Sequence, residues 1–141
     1  MDSQITLEGN VEDFKALYKK IGNKKINEII NLGENDITDW TEWGFYFLLN
    51  KAFNDDSTIT WDKDIKITLG DYFKEYEDYD VVLEYNSFLE AITIHSSLIS
   101  EYLNEDILYI AGKISKNFYG TYSLLSNGGD EYYRLEKGCV N

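Results

Sequence analysis

Proline is absent from the 141 residues, and cysteine, histidine and methionine occur once each. A single cysteine, Cys139, excludes an intramolecular disulfide, in keeping with a reducing compartment. One thiol and one imidazole, His95, cannot assemble a zinc or iron site of ordinary nitrogen and sulfur ligands. No apolar run is long enough for a membrane span, and Met1-Asp-Ser-Gln-Ile5 lacks the basic and apolar stretches of a signal peptide. A cytoplasmic location is therefore expected, with no membrane contact. Positive charge is scarce as well: 13 Lys and Arg stand against 26 Asp and Glu. That balance argues against nucleic acid as a direct ligand, since phosphate binding needs clustered Lys and Arg. The largest basic group, Lys19-Lys20 with Lys24-Lys25, is small and reads as the solvated face of two short helices.

What the chain does contain is an uneven distribution of acid. From Asn54 to Asp106 there are fourteen Asp or Glu and three Lys, a net of −11 out of the total −13. Aromatic residues are interleaved with these acids, most densely in Asp71-Tyr-Phe-Lys-Glu-Tyr-Glu-Asp-Tyr-Asp80. Solvation of a surface needs no aromatics, whereas interface hot spots are enriched in them. The expected partner-binding residues are accordingly Asp55, Asp56, Asp71, Tyr72, Glu75, Tyr76, Glu77, Asp78, Tyr79 and Asp80. An acidic surface of this kind suits a basic protein partner, because complementary potential speeds and orients the encounter. The competing reading is that the aromatics reach into the core.

The apolar content of 43% and the length fit a single domain over residues 1–141 with a core of its own. Gln4–Leu7 reads as a strand, and Asn10 caps a helix carrying Phe14, Leu17, Tyr18 and Ile21. Gly22-Asn23 ends that helix, and Lys24–Leu32 forms a second, with Gly33 at its stop. Asp36–Phe53 reads as a third, capped by Asp36 or Thr38. Trp40, Trp43, Phe45, Phe47, Leu48, Leu49 and Phe53 spread round most of it, which marks the most buried helix. Ile59 and Trp61, then Ile65, Ile67 and Leu69, alternate about Asp62-Lys-Asp64 as a β-hairpin would. Tyr85, Phe88, Ile92, His95, Ile99 and Tyr102 are spaced three and four apart, so Val81–Leu103 is expected to be a long helix with His95 on its seam. Ile107–Ala111 looks like a buried strand, and Phe118–Leu125 with Glu131–Leu135 like a hairpin about Ser126–Asp130. The expected fold class is α+β, with several helices packed on a mostly antiparallel sheet.

Motifs for chemistry are weak. Ser96 and Ser97 beside His95 do not face it on a helix, and nothing flanking Cys139 recommends a Cys139–His95 pair. Asp55-Asp56, Asp62-Lys-Asp64 and Asp78-Tyr-Asp80 lack the Gly and Glu that a calcium loop requires. Asp78-Tyr-Asp80-Val-Val matches the nucleophile motif of haloacid-dehalogenase-type phosphatases only superficially, because polar residues precede it. Asn127-Gly-Gly-Asp130 reads as a turn in preference to an anion cradle. Neither catalytic residues, nor a metal, nor a cofactor is expected. In class, a small acidic chain free of catalytic motifs is similar to bacterial immunity proteins, and its proline-free, Asn-, Ile- and Lys-rich composition suits a bacterial or phage genome. That likeness implies neutralisation of a cognate toxin, a basic nuclease-type domain being the natural target. The alternative is a phage-encoded inhibitor of host defence, an anti-CRISPR or DNA mimic. A small hydrolase is a third reading, and needs a metal held between acid doublets.

Overall fold

The computed structural model describes residues 2–22, 40–99, 106–124 and 130–141. Among these residues seven strands form one antiparallel sheet: β1 (Asp2–Asn10), β2 (Ile65–Thr68), β3 (Val81–Asn86), β4 (Ala91–Ile99), β5 (Tyr119–Leu124), β6 (Asp130–Glu136) and β7 (Cys139–Val140). Their order across the sheet is β2-β3-β4-β1-β5-β6-β7. Three helices among the described residues pack on it: α1 (Val11–Ile21), α2 (Trp40–Phe53) and α3 (Asp106–Ile114). The α+β class expected from the sequence is therefore the one observed.

Strand period two divides the sheet into an apolar and a polar face. Ile5 and Leu7 of β1, Leu83 and Tyr85 of β3, Ile92 and Ile94 of β4 and Tyr122 of β5 are all buried on the helix side. Register keeps them in line: Leu7 pairs Ile94 and Gly120, and Ile94 pairs Leu83. Gly120 matters here, because a Cβ at that position would lie 2.8 Å from both Leu108 Cδ2 of α3 and the Thr6 carbonyl oxygen. The helix thus packs directly on the β5 backbone.

Asn10 ends β1 and caps α1 as expected, its side-chain oxygen accepting from the Asp13 N–H at 2.7 Å. Phe14, Leu17, Tyr18 and Ile21 are buried, and Gly22 stops the helix at φ 88°. Replacing Asn10 by Ala is expected to cost about 1 kcal/mol, read as a shift in the urea midpoint with an unchanged slope. The breadth of the apolar surface on α2 is also real: Trp43, Phe45, Phe47, Leu48 and Leu49 are all buried. The expected helix over Lys24–Leu32, its Gly33 stop, the Asp36 or Thr38 cap, the side chain of Trp40 and all but Asp130 of the expected Ser126–Asp130 turn lie outside the described residues.

Three expectations fail. Val81–Leu103 is not a long helix: its described part is the β3–β4 hairpin, turning at Ser87–Glu90. Val81, Leu83 and Tyr85, then Ile92 and Ile94, keep the strand period of two, and only Tyr85 and Ile92 of them fall by chance on the helical seam, joined by Phe88 of the turn and His95 of the outer face. Val81, Val82, Ile92, Thr93 and Ile94 are β-branched, which favours strand, and β4 gains ladders on both sides, to β1 and β3. Ile107–Ala111 belongs to helix α3, with Ile107, Leu108 and Ala111 buried and Tyr109 45% exposed. So short an apolar run does not by itself distinguish strand from helix. Finally, Ile59–Trp61 forms no strand. Trp61 sits at φ 61°, its ring between Phe53 at 5.2 Å and Tyr85 at 5.1 Å, and β2 pairs with β3 instead. The late hairpin is as expected, β5 pairing β6 antiparallel.

Candidate partner-binding surface

The acidic aromatic segment folds as two successive 3₁₀ turns, Leu69–Asp71 and Lys74–Tyr76, between β2 and β3. Thr68 opens it with a reciprocal cap: its Oγ1 accepts from the Asp71 N–H at 3.2 Å, and its own N–H donates to Asp71 Oδ2 at 2.9 Å. Asp71 therefore serves the local fold. Leu69 is fully buried and pins the segment down. A Cβ on Gly70 would stand 2.6 Å from Glu77 Cα, so the two turns touch backbone to backbone. This is a compact, shaped surface.

The aromatics divide between core and solvent. Phe73 lies 5.8 Å from Trp43 and 5.1 Å from Phe47, and Tyr76 lies 5.9 Å from Trp43, all between ring centroids. These rings attach the segment to α2. Tyr72 and Tyr79 remain 45% and 39% exposed. Tyr72 leans on Phe47 at 5.4 Å under the Lys51 ammonium, 4.9 Å from its centroid, and Tyr79 leans on Tyr76 at 5.9 Å. Glu75, Glu77, Asp78 and Asp80 are exposed. Two ion pairs are formed among the described residues, Lys15–Glu12 and Lys66–Glu84, and neither uses these four acids.

Asp55 and Asp56 attach elsewhere. They lie exposed in the turn after α2, where the Asn54 side chain accepts from the Asp56 N–H at 3.2 Å. Burial, and secondarily the charge of Asp55, raises the pKa of Tyr18 on α1. The structure thus gathers Tyr72 to Asp80 on the Trp43–Phe47 side of α2, and sets Asp55 and Asp56 at the helix end near Tyr18.

The outer face of the sheet begins where this segment ends. Asp80 lies beside His95, which is half-buried on β4 with its register partner Thr6. Thr6 Oγ1 is 2.9 Å from His95 Nδ1, and Gln4 Nε2 is 3.0 Å from His95 Nε2. Gln4 Nε2 also lies 3.2 Å from Nδ1, so Thr6 and Gln4 together hold the imidazole by both ring nitrogens. Burial lowers the His95 pKa from 6.5, and Asp80 partly opposes the shift. A depressed folded pKa means that the neutral ring contributes fully above about pH 6.5 and loses its contribution as pH falls below it. The urea midpoint is therefore expected to drop between pH 7.5 and 5.5 by more in the wild type than in His95→Gln. Equal drops would place the pH response elsewhere.

Other sites raised by the sequence are separated or committed. Cys139 on β7 and His95 on β4 stand four strands apart, about 19 Å at the usual spacing, so they form no nucleophilic pair. Asp62 accepts from the Thr60 hydroxyl, and Asp64 accepts from both the N–H and hydroxyl of Ser87 at 2.8 Å. These bonds hold both carboxyl groups below the usual range. Among the described residues, no three His, Cys, Asp or Glu side chains gather closely enough to hold a metal ion. No described helix is long and apolar enough to cross a membrane. Phe88 and Leu89, 92% and 67% exposed, were hidden in the sequence by the helical reading of Val81–Leu103. The preceding Asn86-Ser87, between two β-branched runs, was the available turn signal. Comparison of the chain with protein-family models, curated proteins and solved structures finds no match.

Proposed function

We propose that this chain acts by binding rather than by chemistry, as an immunity protein that holds a basic toxin domain, of nuclease type, against its acidic segment. One observation carries the reading. Glu75, Glu77, Asp78 and Asp80 project unpaired with any described Lys or Arg, among half-exposed Tyr72 and Tyr79 whose rings rest on a packed aromatic base. Exposed carboxylates without counter-charges raise the negative potential that steers a cation-rich surface inward. Tyrosines already leaning on neighbouring rings lose little freedom on contact, which favours them as anchors. Occlusion of a basic active site needs no catalytic group on the inhibitor.

The test is a photo-crosslinking residue at Tyr79, introduced in the native host. The expected product joins the chain to a basic protein whose toxic activity is suppressed by adding purified chain. A crosslinked basic protein of a host defence system would assign the chain to phage-type inhibition instead. A neutral or acidic partner, or no loss of the partner's activity, contradicts the reading.

A further inference from the structure

The β3–β4 turn carries two apolar side chains in the open: Phe88 is 92% and Leu89 67% exposed. Single exposed hydrophobics are common, whereas contiguous exposed apolar surface marks interaction sites. Hydrogen bonds define the shape of the tip. Asp64 accepts from the Ser87 N–H and hydroxyl, each at 2.8 Å, Asn86 Oδ1 accepts from the Leu89 N–H at 3.0 Å, and Glu90 closes the turn at φ 53°. Four groups thus fix the shape of a turn whose two largest side chains take no part in the core.

Below the tip, the outer face of the sheet is concave. A depression of about 490 Å³ is lined by Glu8, Asp64, Lys66, Glu84, Leu89 and Thr93, among others. A second, of about 350 Å³, shares Lys66, Glu84 and Thr93 with it and continues to Asp80 and His95. The two form one groove along β3, from Asp80 to Leu89, roughly 20 Å at the usual rise per strand residue. Four carboxylates, Glu8, Asp64, Asp80 and Glu84, face one ammonium, Lys66, which is loosely paired with Glu84 at 3.8 Å. The groove is anionic, with an apolar end.

We propose that the Phe88–Leu89 tip and this groove are a docking surface for a cationic protein segment that carries large apolar side chains between its lysines or arginines. Charge complementarity selects the occupant: cations lie over Glu8, Asp80 and Glu84, while the apolar side chains pack on Leu89 and Phe88. The inference rests on the reading of the chain as a binder of basic protein and extends its contact surface from the 3₁₀ turns along β3 to the opposite end of the strand.

The probe is a short acetylated and amidated peptide, Lys-Lys-Leu-Lys-Lys-Leu-Lys-Lys, titrated into the full chain at low salt and followed by amide chemical shifts. Two controls replace its leucines by glycine or its lysines by glutamate. The leucine peptide is expected to shift resonances of Ser87–Glu90, Lys66, Glu84 and Thr93. The glycine control should bind on the order of ten-fold more weakly, and the glutamate control not at all. The double variant F88A/L89A, whose truncated side chains are exposed and whose urea midpoint should be unchanged, is expected to weaken the leucine peptide about ten-fold. Shifts confined to Tyr72–Asp80, or wild-type affinity in the double variant, overturn the docking surface and leave the binding function standing. Equal binding of the glutamate control, or no binding of either basic peptide anywhere, overturns both.

Discussion

Neutralising Glu75, Glu77, Asp78 and Asp80 together, as Gln or Asn, is expected to slow association with the basic partner by about ten-fold or more at 0.01 M salt. All four are exposed and none is paired with a described Lys or Arg, so their loss should leave the fold intact. Charges of this kind act over distance. The Debye length falls from roughly 30 Å at 0.01 M to about 8 Å at 0.15 M, and the difference between wild type and variant should shrink accordingly. Dissociation should change little, because steering acts before the surfaces meet. Stopped-flow association at several salt concentrations, with circular dichroism to confirm folding, checks both parts. Asp71 is left out of the set because its carboxylate caps the first 3₁₀ turn.

The second large effect belongs to the aromatic base. Trp43 is buried, at 6% exposure, and contacts Phe47 at 5.5 Å, Phe73 at 5.8 Å and Tyr76 at 5.9 Å. Trp43→Ala removes the ring on which the acidic segment is seated, at an expected cost of about 3–5 kcal/mol. Against a typical total of about 5–15 kcal/mol, that is a large share. Partner affinity should fall with it, because Tyr76 and Tyr79 lose their support. Tyr79→Ala separates the two roles. Its ring is 39% exposed, so the urea midpoint should stay near wild type while dissociation accelerates by a factor corresponding to about 2 kcal/mol. Equal destabilisation by both substitutions would make Tyr79 a core residue and remove it from the interface.

The parts of the fold legible in the sequence were those that local chemistry dictates. Asn10 and Gly22 bound α1 because a side-chain acceptor and a positive φ are needed at those two points. The circumference of α2 announced its burial, since Trp43, Phe45, Phe47, Leu48 and Leu49 leave no polar face in mid-helix. The region after Val81 was misread because Tyr85, Phe88, Ile92 and His95 keep helical spacing in sequence, although Phe88 sits in the turn and Ile92 and His95 lie on opposite faces of β4. The β-branched runs and the Asn86-Ser87 turn favour strand, and the pairing of β4 with β1, far away in sequence, and with β3 decides it. Of the binding surface, the acids and tyrosines were visible by composition. Which tyrosines face inward was not, because that depends on where Trp43 and Phe47 lie relative to the 3₁₀ turns. Phe88 shows the cost of the wrong period: placed at the middle of a helical seam, it is instead the most exposed large apolar residue of the described chain.

The central claim is that the concentrated negative charge of the middle third is an instrument of binding. The association rate of the wild-type chain with its crosslink-identified partner, measured from 0.01 M to 0.5 M salt, tests it most directly. The expected result is a steep fall in rate with rising salt, and a much flatter line for the fourfold variant at Glu75, Glu77, Asp78 and Asp80. An association rate independent of salt, or a fourfold variant that follows the wild-type line, would show that these carboxylates only solvate the surface.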